Sequence, residues 1–251
     1  MSKTTYWVPA LERAHRVLQL IAEEPGKLKL TDLCKRLGIS KSTMFSLLQT
    51  MEALDWIYRK ESDTFSLGGH FGYLGNAYFR QHELVGVFRR EAPNVMKHVN
   101  ETLHLAKLDK NDVIYLAKEQ SDSPVQMVSG PGARFPAHAT ALGKMLLSGL
   151  TDEEICDLYP QEELLTLTPY TLKTRKQLLE HLQTVRKQGY AIDQQEGVMG
   201  FNCVAAPVYG ANGRIIAAVS CSMPIHHWEQ KQAKARKEIC QLAQKLSAES
   251  Y

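Results

Sequence analysis

The side chains with the greatest potential for chemistry are His138, Asp193 and Cys203, all in the second half of the 251-residue chain. An imidazole, a carboxylate and a thiol are groups that enzymes use for nucleophilic and acid–base catalysis. However, the sequence has no Gly-x-Ser-x-Gly or His-Glu-x-x-His motif that would arrange such groups. We therefore expect a protein that is not an enzyme, with an enzyme acting on a small oxo or hydroxy acid as the alternative.

The same histidine and cysteine, with Cys221, His226 and His227, are also potential metal ligands. The five cysteines are odd in number and scattered, with no Cys-x-x-Cys pair and no zinc-finger spacing. Adjacent histidines after a proline are more typical of the solvated start of a helix. The sequence thus favours reduced thiols, no metal and no cofactor, with a metal-responsive regulator as a second alternative.

Two serines, Ser220 and Ser222, are separated by one residue within a β-prone stretch. In a strand their hydroxyls face the same side, whereas Val219 and Cys221 face the other. Both hydroxyls can then donate to one oxygen-rich ligand.

The elements that must position these side chains form a predicted α+β domain with a mostly antiparallel sheet covered by helices. Helical spacing of apolar residues marks residues 85–103, 139–147, 152–158, 175–188 and 229–247. β-prone stretches mark residues 105–108, 113–117, 125–128, 190–193, 203–209 and 215–222. Polar turns at 109–112 and 212–213 join two pairs of these strands into hairpins.

The N-terminal third predicts three helices. Apolar residues at helical spacing over residues 11–21 indicate a first helix that stops at Pro25. The second is predicted to have Thr31 as its N-cap and to end at Gly38, and Ser40 can cap the third. This arrangement matches a helix-turn-helix, whose second helix enters the major groove of DNA, with a plain αα-hairpin as the alternative.

Apolar residues of the third helix recur at i, i+3, i+4 and i+7, which leaves its other residues on the outside or flank. Those are Ser42, Thr43, Phe45, Ser46 and Gln49, and Lys41 near the start of the helix could reach a phosphate. Residues 56–59 and 65–67 are β-prone on either side of a polar turn, which predicts a hairpin. The order of these elements is that of a winged helix, and a protein-interaction module is a third alternative.

The region after the hairpin begins with Gly68 and Gly69, and apolar residues over 71–78 then recur at helical spacing. We interpret this as a linker helix with a surface for self-association, or alternatively as a core helix of the second domain. The net charge of +3 does not by itself indicate DNA binding. No apolar run is long enough to span a membrane and the first nine residues do not resemble a secretory signal, so we expect a cytoplasmic protein without membrane contact.

Several motifs, in order along the chain, resemble the IclR family of bacterial regulators. They are residues 135–144 (FPAHATALGK), 189–196 (GYAIDQQE), 203–208 (CVAAPV) and 213–224, preceded by 12–14, 38–51 and 66–68. The resemblance implies a winged helix-turn-helix at 1–68, a linker helix at 69–84 and a GAF-like effector-binding domain at 85–251. It also implies a homodimer or tetramer that binds a double-stranded DNA operator, usually as a repressor, and a small-molecule effector.

The resemblance further implies the residues that contact the effector, which we expect to be a carboxylic acid. They are Ala141, Leu142, Asp193, Cys203, Ser220 and Ser222. Gly143 and Lys144 then lie where a loop enters a helix, so we expect exposed N–H groups that favour a carboxylate. An ionised Asp193 would repel a carboxylate, so we expect this side chain to accept from a ligand hydroxyl, a hydrate or a water.

One position departs from the family pattern. The recognition helix of the family often carries His-Arg where this chain has Phe45 and Ser46. Because a basic contact to DNA is missing there, we expect affinity to depend more on Lys41, Arg59, Lys60 and backbone amides.

Overall fold

The computed structural model describes residues 7–81, 83–123, 127 and 129–249, which form two compact units with their boundary between Tyr78 and Phe79. The N-terminal unit contains α1 (Pro9–Glu23), α2 (Leu30–Leu37), α3 (Lys41–Ala53), β1 (Ile57–Arg59) and β2 (Phe65–Leu67). The strands pair antiparallel, with Ile57 opposite Leu67. This is the predicted winged helix, and its order of elements is confirmed.

The apolar stripe of each N-terminal helix meets the others in one core, which includes Val17, Leu33, Met44 and Phe65, all at most 1% exposed. Burial of these side chains is the main term that holds three short helices together, because isolated helices of this length are marginal in water. The hairpin contributes Ile57 and Phe65 to the same core, so the wing is anchored at its base.

The ends of the short helices follow backbone chemistry. Gly38 has φ +65 and closes α2 in the left-handed conformation that glycine tolerates best, as predicted. Ser40 caps α3, since its Oγ accepts a hydrogen bond of 3.3 Å from the N–H of Thr43. The prediction of Thr31 as N-cap of α2 is wrong: the cap is Lys29, whose N–H donates to Asp32 Oδ2 at 2.9 Å.

The helix α4 (Gly69–Arg80) crosses the boundary between the units and corresponds to the predicted linker helix. The remaining elements are α5 (Glu83–Val99), β3 (Thr102–Asp109), β4 (Asp112–Glu119), β5 (Arg134–Pro136), α6 (Ala141–Leu147), α7 (Asp152–Leu158), α8 (Arg175–Gln188), β6 (Ala191–Gln194), β7 (Phe201–Tyr209), β8 (Ile215–Pro224) and α9 (Ile225–Ala248).

The C-terminal unit is built on a six-stranded sheet in the order β5-β4-β3-β8-β7-β6, and every neighbouring pair is antiparallel. Helices α5 and α9 cover one face, while α6 packs on the other face with α8 against it. The predicted α+β architecture with an antiparallel sheet is confirmed. Since side chains alternate along a strand, each of β3, β7 and β8 faces α6 with every second residue.

Several elements of the C-terminal unit differ from the predictions. The helix predicted over 85–103 ends at Val99, because Asn100 adopts φ +52 and Thr102 begins β3. The short strand β5 was not predicted, since three residues carry too little periodicity. Of the strand predicted at 125–128, only Met127 lies within the described residues, and it is not in a strand.

Candidate functional site

A cavity lies on the α6 side of the sheet in the C-terminal unit. The space between its lining atoms is about 350 Å³ with the open solvent at its mouth included, and the room for the centre of a water-sized sphere is about 10 Å³. The lining residues are Tyr115, Met127, Phe135, Thr140, Ala141, Leu142, Asp193, Gly197, Val198, Phe201, Cys203, Ser220 and Ser222. All six residues predicted to contact the effector are therefore brought together around one cavity.

The strand register explains why three of these side chains meet. Cys203 on β7 lies directly opposite Ser222 on β8, and Ser220 follows on the same face of β8. The thiol of Cys203 is 3.1 Å from Ser222 Oγ. Ser220 is 1% exposed and also lines the cavity.

The start of α6 forms another wall of the cavity, and here one expectation is wrong. Thr140 caps the helix, and its Oγ1 accepts the N–H of Gly143 at 2.9 Å. The N–H of Lys144 donates to the carbonyl of Thr140 at 2.9 Å, as in any regular helix turn. Neither N–H is free for a ligand, so at this helix start only the earlier residues Ala141 and Leu142 can offer one.

Glycine is required at position 143 because the helix passes directly over the preceding turn. A Cβ added there would lie 2.1 Å from the carbonyl oxygen of Ala137 and 2.3 Å from its Cα. Backbone atoms cannot move aside as a side chain can, so this close approach fixes how α6 enters the cavity wall.

The side chain of Lys144 is fully buried and forms an ion pair with Glu196, in the segment after β6. Lys144 is therefore neither a surface charge nor a free cation facing the cavity. The carbonyl of Glu196 accepts a hydrogen bond from Thr171 Oγ1 at 2.6 Å, and Thr168 Oγ1 donates to the carbonyl of Gln195 at 2.7 Å. The segment that follows Asp193 is thus held through both its side chain and its backbone.

Asp193 is 4% exposed, and its Oδ1 accepts the N–H of Glu196 at 2.6 Å. Burial raises the pKa of Asp193 to about 7, and the nearby Glu196 carboxylate adds to this rise. Lys144 and the backbone N–H groups of Glu196 and Gly197 act in the opposite direction, because they favour the charged form. Near neutral pH this carboxyl group can therefore either donate or accept a hydrogen bond.

Burial also governs the other ionisable groups that line the cavity. It raises the pKa of Cys203 far above its ordinary value, with the neighbouring Asp193 adding to the effect, so this thiol is a poor nucleophile. It raises the pKa of the Tyr115 phenol in the same way. Both groups are neutral hydrogen-bonding groups at physiological pH.

His138 does not line the cavity that contains Asp193 and Cys203. Its Nε2 donates to the carbonyl of Leu165 at 2.8 Å, its ring lies edge-on to Tyr159, and burial lowers its pKa. Among the described residues there is also no cluster of three or more histidine, cysteine or acidic side chains that could hold a metal ion. His227, in the first turn of α9, instead binds Glu101 through Nδ1 at 2.7 Å.

Sequence reasoning missed two features of the cavity, the phenol of Tyr115 and the Lys144–Glu196 pair. Tyr115 alternates with apolar residues on β4 and reads as an ordinary core residue. Lys144 and Glu196 are 52 residues apart, and both lie within the motifs at 135–144 and 189–196. A lysine and an acid at the ends of two such motifs were the one available signal for the pair.

In the N-terminal unit, the eight residues predicted to contact DNA are all exposed on α3 or at the wing. They are Lys41, Ser42, Thr43, Phe45, Ser46, Gln49, Arg59 and Lys60. Phe45 is 45% exposed, which is unusual for a phenylalanine and leaves its ring available for an apolar contact. Arg59 lies 3.5 Å from Glu52 and 3.7 Å from Asp63, so any contact with DNA must compete with these carboxylates.

A winged helix joined to a domain with a buried polar cavity defines a class of protein, the transcriptional regulators that combine DNA binding with effector sensing. The chain belongs to the IclR family of these regulators. The IclR helix-turn-helix domain matches residues 10–61, and the bacterial transcriptional regulator IclR C-terminal domain matches residues 76–248. The family resemblance and the regulator function expected from the sequence are confirmed.

Named relatives agree with this assignment. The chain is 35% identical to the HTH-type transcriptional regulator XynR of Escherichia coli K12 over 86% of each chain. It is 32% identical to the HTH-type transcriptional repressor AllR of the same strain, over 86% of this chain and 80% of AllR.

A solved structure shares the fold. An IclR homologue from Microbacterium hydrocarbonoxydans, complexed with 4-hydroxybenzoate, has a TM-score of 0.80 and 21% identity, covering 95% of this chain and 98% of that one. Within the part of the chain that the structure describes, no helix is long and apolar enough to cross a membrane.

Proposed function

We propose that this regulator represses its target genes and that a small organic acid in the cavity of the C-terminal unit changes its affinity for the operator. The observation that carries the proposal is that three nearly buried polar side chains, Asp193, Ser220 and Ser222, converge on one cavity. A ligand oxygen that reached these side chains could form hydrogen bonds with several of them at once.

The other cavity residues suit the same ligand. Ser222, Cys203 and Tyr115 supply neutral polar groups, while Leu142 and Phe135 supply an apolar wall. An apolar pocket with a few converging polar groups is the usual form of a small-molecule site. The relative AllR is named a repressor, and the Microbacterium homologue was solved with an aromatic acid, which supports both parts of the proposal.

We assign DNA contact to the exposed residues of α3 and the wing. Lys41 and Lys60 would bind phosphates, and the hydroxyl of Ser42 and the amide of Gln49 would reach base edges or backbone oxygens. The exposed ring of Phe45 would contact the methyl group of a thymine, a contact that replaces the basic one expected from the family pattern.

Self-association belongs to the same proposal, with a dimer or tetramer as the form that binds DNA in the cytoplasm. The helix α4 has no buried residue, and it exposes 71% of Tyr73 and 46% of Leu74. We expect light scattering to show an oligomer and Leu74→Glu to weaken it. A wild-type monomer at micromolar concentration would contradict this part.

The test of the whole proposal begins with selection of bound fragments from a genomic library by the purified full chain. Organic acids, beginning with pyruvate and 4-hydroxybenzoate, are then titrated into the protein–DNA complex. Ser220→Ala with Ser222→Ala should abolish the response and leave DNA binding intact. Ser148→Ala, a buried serine at the other end of α6, should respond as wild type.

The result separates this function from its rivals. Loss of DNA binding together with the ligand response in the double serine variant would mean that these serines only support the sheet. Turnover of an added acid would instead favour the enzyme, although His138 lies outside the cavity and Cys203 is held as a neutral thiol.

A further inference from the structure

The charges around Asp193 restrict the ligand that the cavity can hold. None of the described residues that line the cavity is a lysine, arginine or histidine, and Asp193 is its one acidic side chain. At 4% exposure, this carboxyl group is almost cut off from water. A ligand that enters with its own negative charge would therefore meet a second carboxylate in a poorly screened site.

The ionisable groups that pack behind the lining residues of the cavity do not supply a free positive charge. Lys144 on α6 is the cation that acts on the pKa of Asp193, but its ammonium is paired with Glu196, so the two charges largely offset each other. Burial lowers the pKa of His138 and of His181 on α8, which leaves both neutral at pH 7. On β3, His104 lies opposite Ser220, and burial lowers its pKa to about 3, so it is neutral as well. The groups of β4, β7 and β8 that line the cavity are the phenol, thiol and hydroxyl groups already described, all uncharged.

We propose that the cavity takes up a monocarboxylic acid together with one proton, which Asp193 and the ligand carboxylate share, and that it discriminates against dianions. This inference rests on the proposed acid-binding function. The proton comes from the solvent, and no covalent bond other than that to the proton changes. The two backbone N–H groups at Asp193 occupy about two of its roughly four acceptor positions, so an oxygen remains for the shared proton.

Physical chemistry supports this stoichiometry. Two carboxyl groups in contact cannot both ionise in a dry site, so one of them retains a proton. The pKa of Asp193, raised to about 7 mainly by burial, places the protonated form within easy reach at neutral pH. A dianion would need a second proton or a cation, and the described residues that line the cavity offer neither.

Calorimetry on the full chain tests the proposal with pyruvate and 4-hydroxybenzoate as probes, and with oxalate as the dianion. Titrations in phosphate and in Tris at pH 8 give the number of protons exchanged, because the two buffers differ in their heat of ionisation. We expect uptake of nearly one proton per bound acid at pH 8 and almost none at pH 5.5. The Kd should rise about tenfold per pH unit above pH 7, and oxalate should bind at least about 100-fold more weakly than pyruvate.

The variant Asp193→Asn keeps the shape of the side chain but cannot share a proton. We expect its affinity for the two acids to be independent of pH above 6, with no proton uptake. The control is Glu101→Gln, which removes a carboxylate that is 1% exposed beside His227 and Lys231 and outside the cavity. This control should keep the pH profile of the wild type.

Each outcome decides the question. Acid binding by the wild type without proton uptake, or uptake that persists in Asp193→Asn, overturns the shared proton and leaves the acid-binding function in place. If neither acid binds at pH 5.5, both proposals about the cavity fail, and the separate DNA-binding assay shows whether the regulator function stands. If Asp193→Asn does not fold, the wild-type calorimetry still gives the answer.

Discussion

The recognition helix α3 and the cavity of the C-terminal unit present polar side chains in opposite ways. On α3 these side chains are exposed, and Lys41 and Gln49 have no side-chain hydrogen bond or ion pair within the described part of the chain. At the cavity, Asp193, Lys144 and Glu196 are buried and held by one another. The first region keeps its polar groups hydrated until a partner arrives, whereas the second has already lost that hydration.

This difference predicts how the two regions respond to substitution. A residue on the exposed surface contributes to binding with little effect on folding, because its removal leaves no buried group unsatisfied. A residue around the cavity contributes to both, because its partners remain buried when it is removed.

The largest effect is expected at the entry of α6. Gly143→Ala places a methyl group 2.1 Å from the carbonyl oxygen of Ala137, and we expect the free energy of unfolding to fall by more than about 4 kcal/mol in urea titrations. Gly86→Ala is the matched control, because a Cβ in that exposed turn of α5 meets nothing within 4 Å and should stabilise by up to about 1 kcal/mol. If the two substitutions changed the free energy of unfolding equally, the close approach to Ala137 would not explain the effect of Gly143→Ala.

The next effect concerns the buried ion pair. Lys144→Met leaves Glu196 buried without its cation, and we expect a loss of about 3–5 kcal/mol in the free energy of unfolding. The double variant Lys144→Met with Glu196→Gln should lose clearly less, since no unpaired charge remains. If the double variant is as unstable as the sum of both single variants, the two side chains act independently and the contrast with the exposed surface is weakened.

A smaller, pH-dependent effect is expected from Asp193. Its folded-state pKa is about 7 against an ordinary 3.8, so between these values the folded chain keeps a proton that the unfolded chain has lost. The stability that this group contributes is fully present below about pH 4 and is lost as the pH rises through 7. Asp193→Asn should therefore gain stability relative to wild type over this range, by up to about 4 kcal/mol at 1.36 kcal/mol per pKa unit.

Comparison with the variant is essential because buried histidines have the opposite pH dependence. Burial lowers the pKa of His104 to about 3 and also lowers that of His138, so their contribution is lost as the pH falls below about 6.5. Thermal unfolding of both proteins at half-unit steps from pH 4 to 8 gives the difference directly. A constant difference across the range would contradict a raised pKa at Asp193.

The smallest effect on stability is expected on the exposed surface. Lys41→Ala should change the free energy of unfolding by less than about 0.5 kcal/mol. It should weaken DNA binding uniformly across sequences and reduce the salt slope of log K by about one, as for one phosphate contact. Lys187→Ala on α8 is the control. If it changed the salt slope equally, the slope would report the net charge of the protein and not a phosphate contact of Lys41.

Much of this architecture was predictable because it depends on local chemistry. The spacing of Met44, Leu48 and Met51 gives α3 its buried face, and Ser40 and Gly38 mark its turn, so the types of residues close along the chain carry the signal. The end of α5 was not predictable, since the backbone conformation of Asn100 depends on the strand that follows.

The six residues predicted to contact the effector were assigned through family motifs. The structure brings them together around the cavity, and their contact with an effector is a proposal. The sequence by itself determined the type of each region, because helix periodicity, caps and alternating strands are written in residues close along the chain. The tertiary structure alone decided that Lys144 pairs with Glu196 and that Asp193 is dry, because burial and ion pairing depend on residues that meet only after folding. On the exposed surface of α3 each side chain acts largely by itself, whereas the charge and pKa of each ionisable group at the cavity depend on its neighbours.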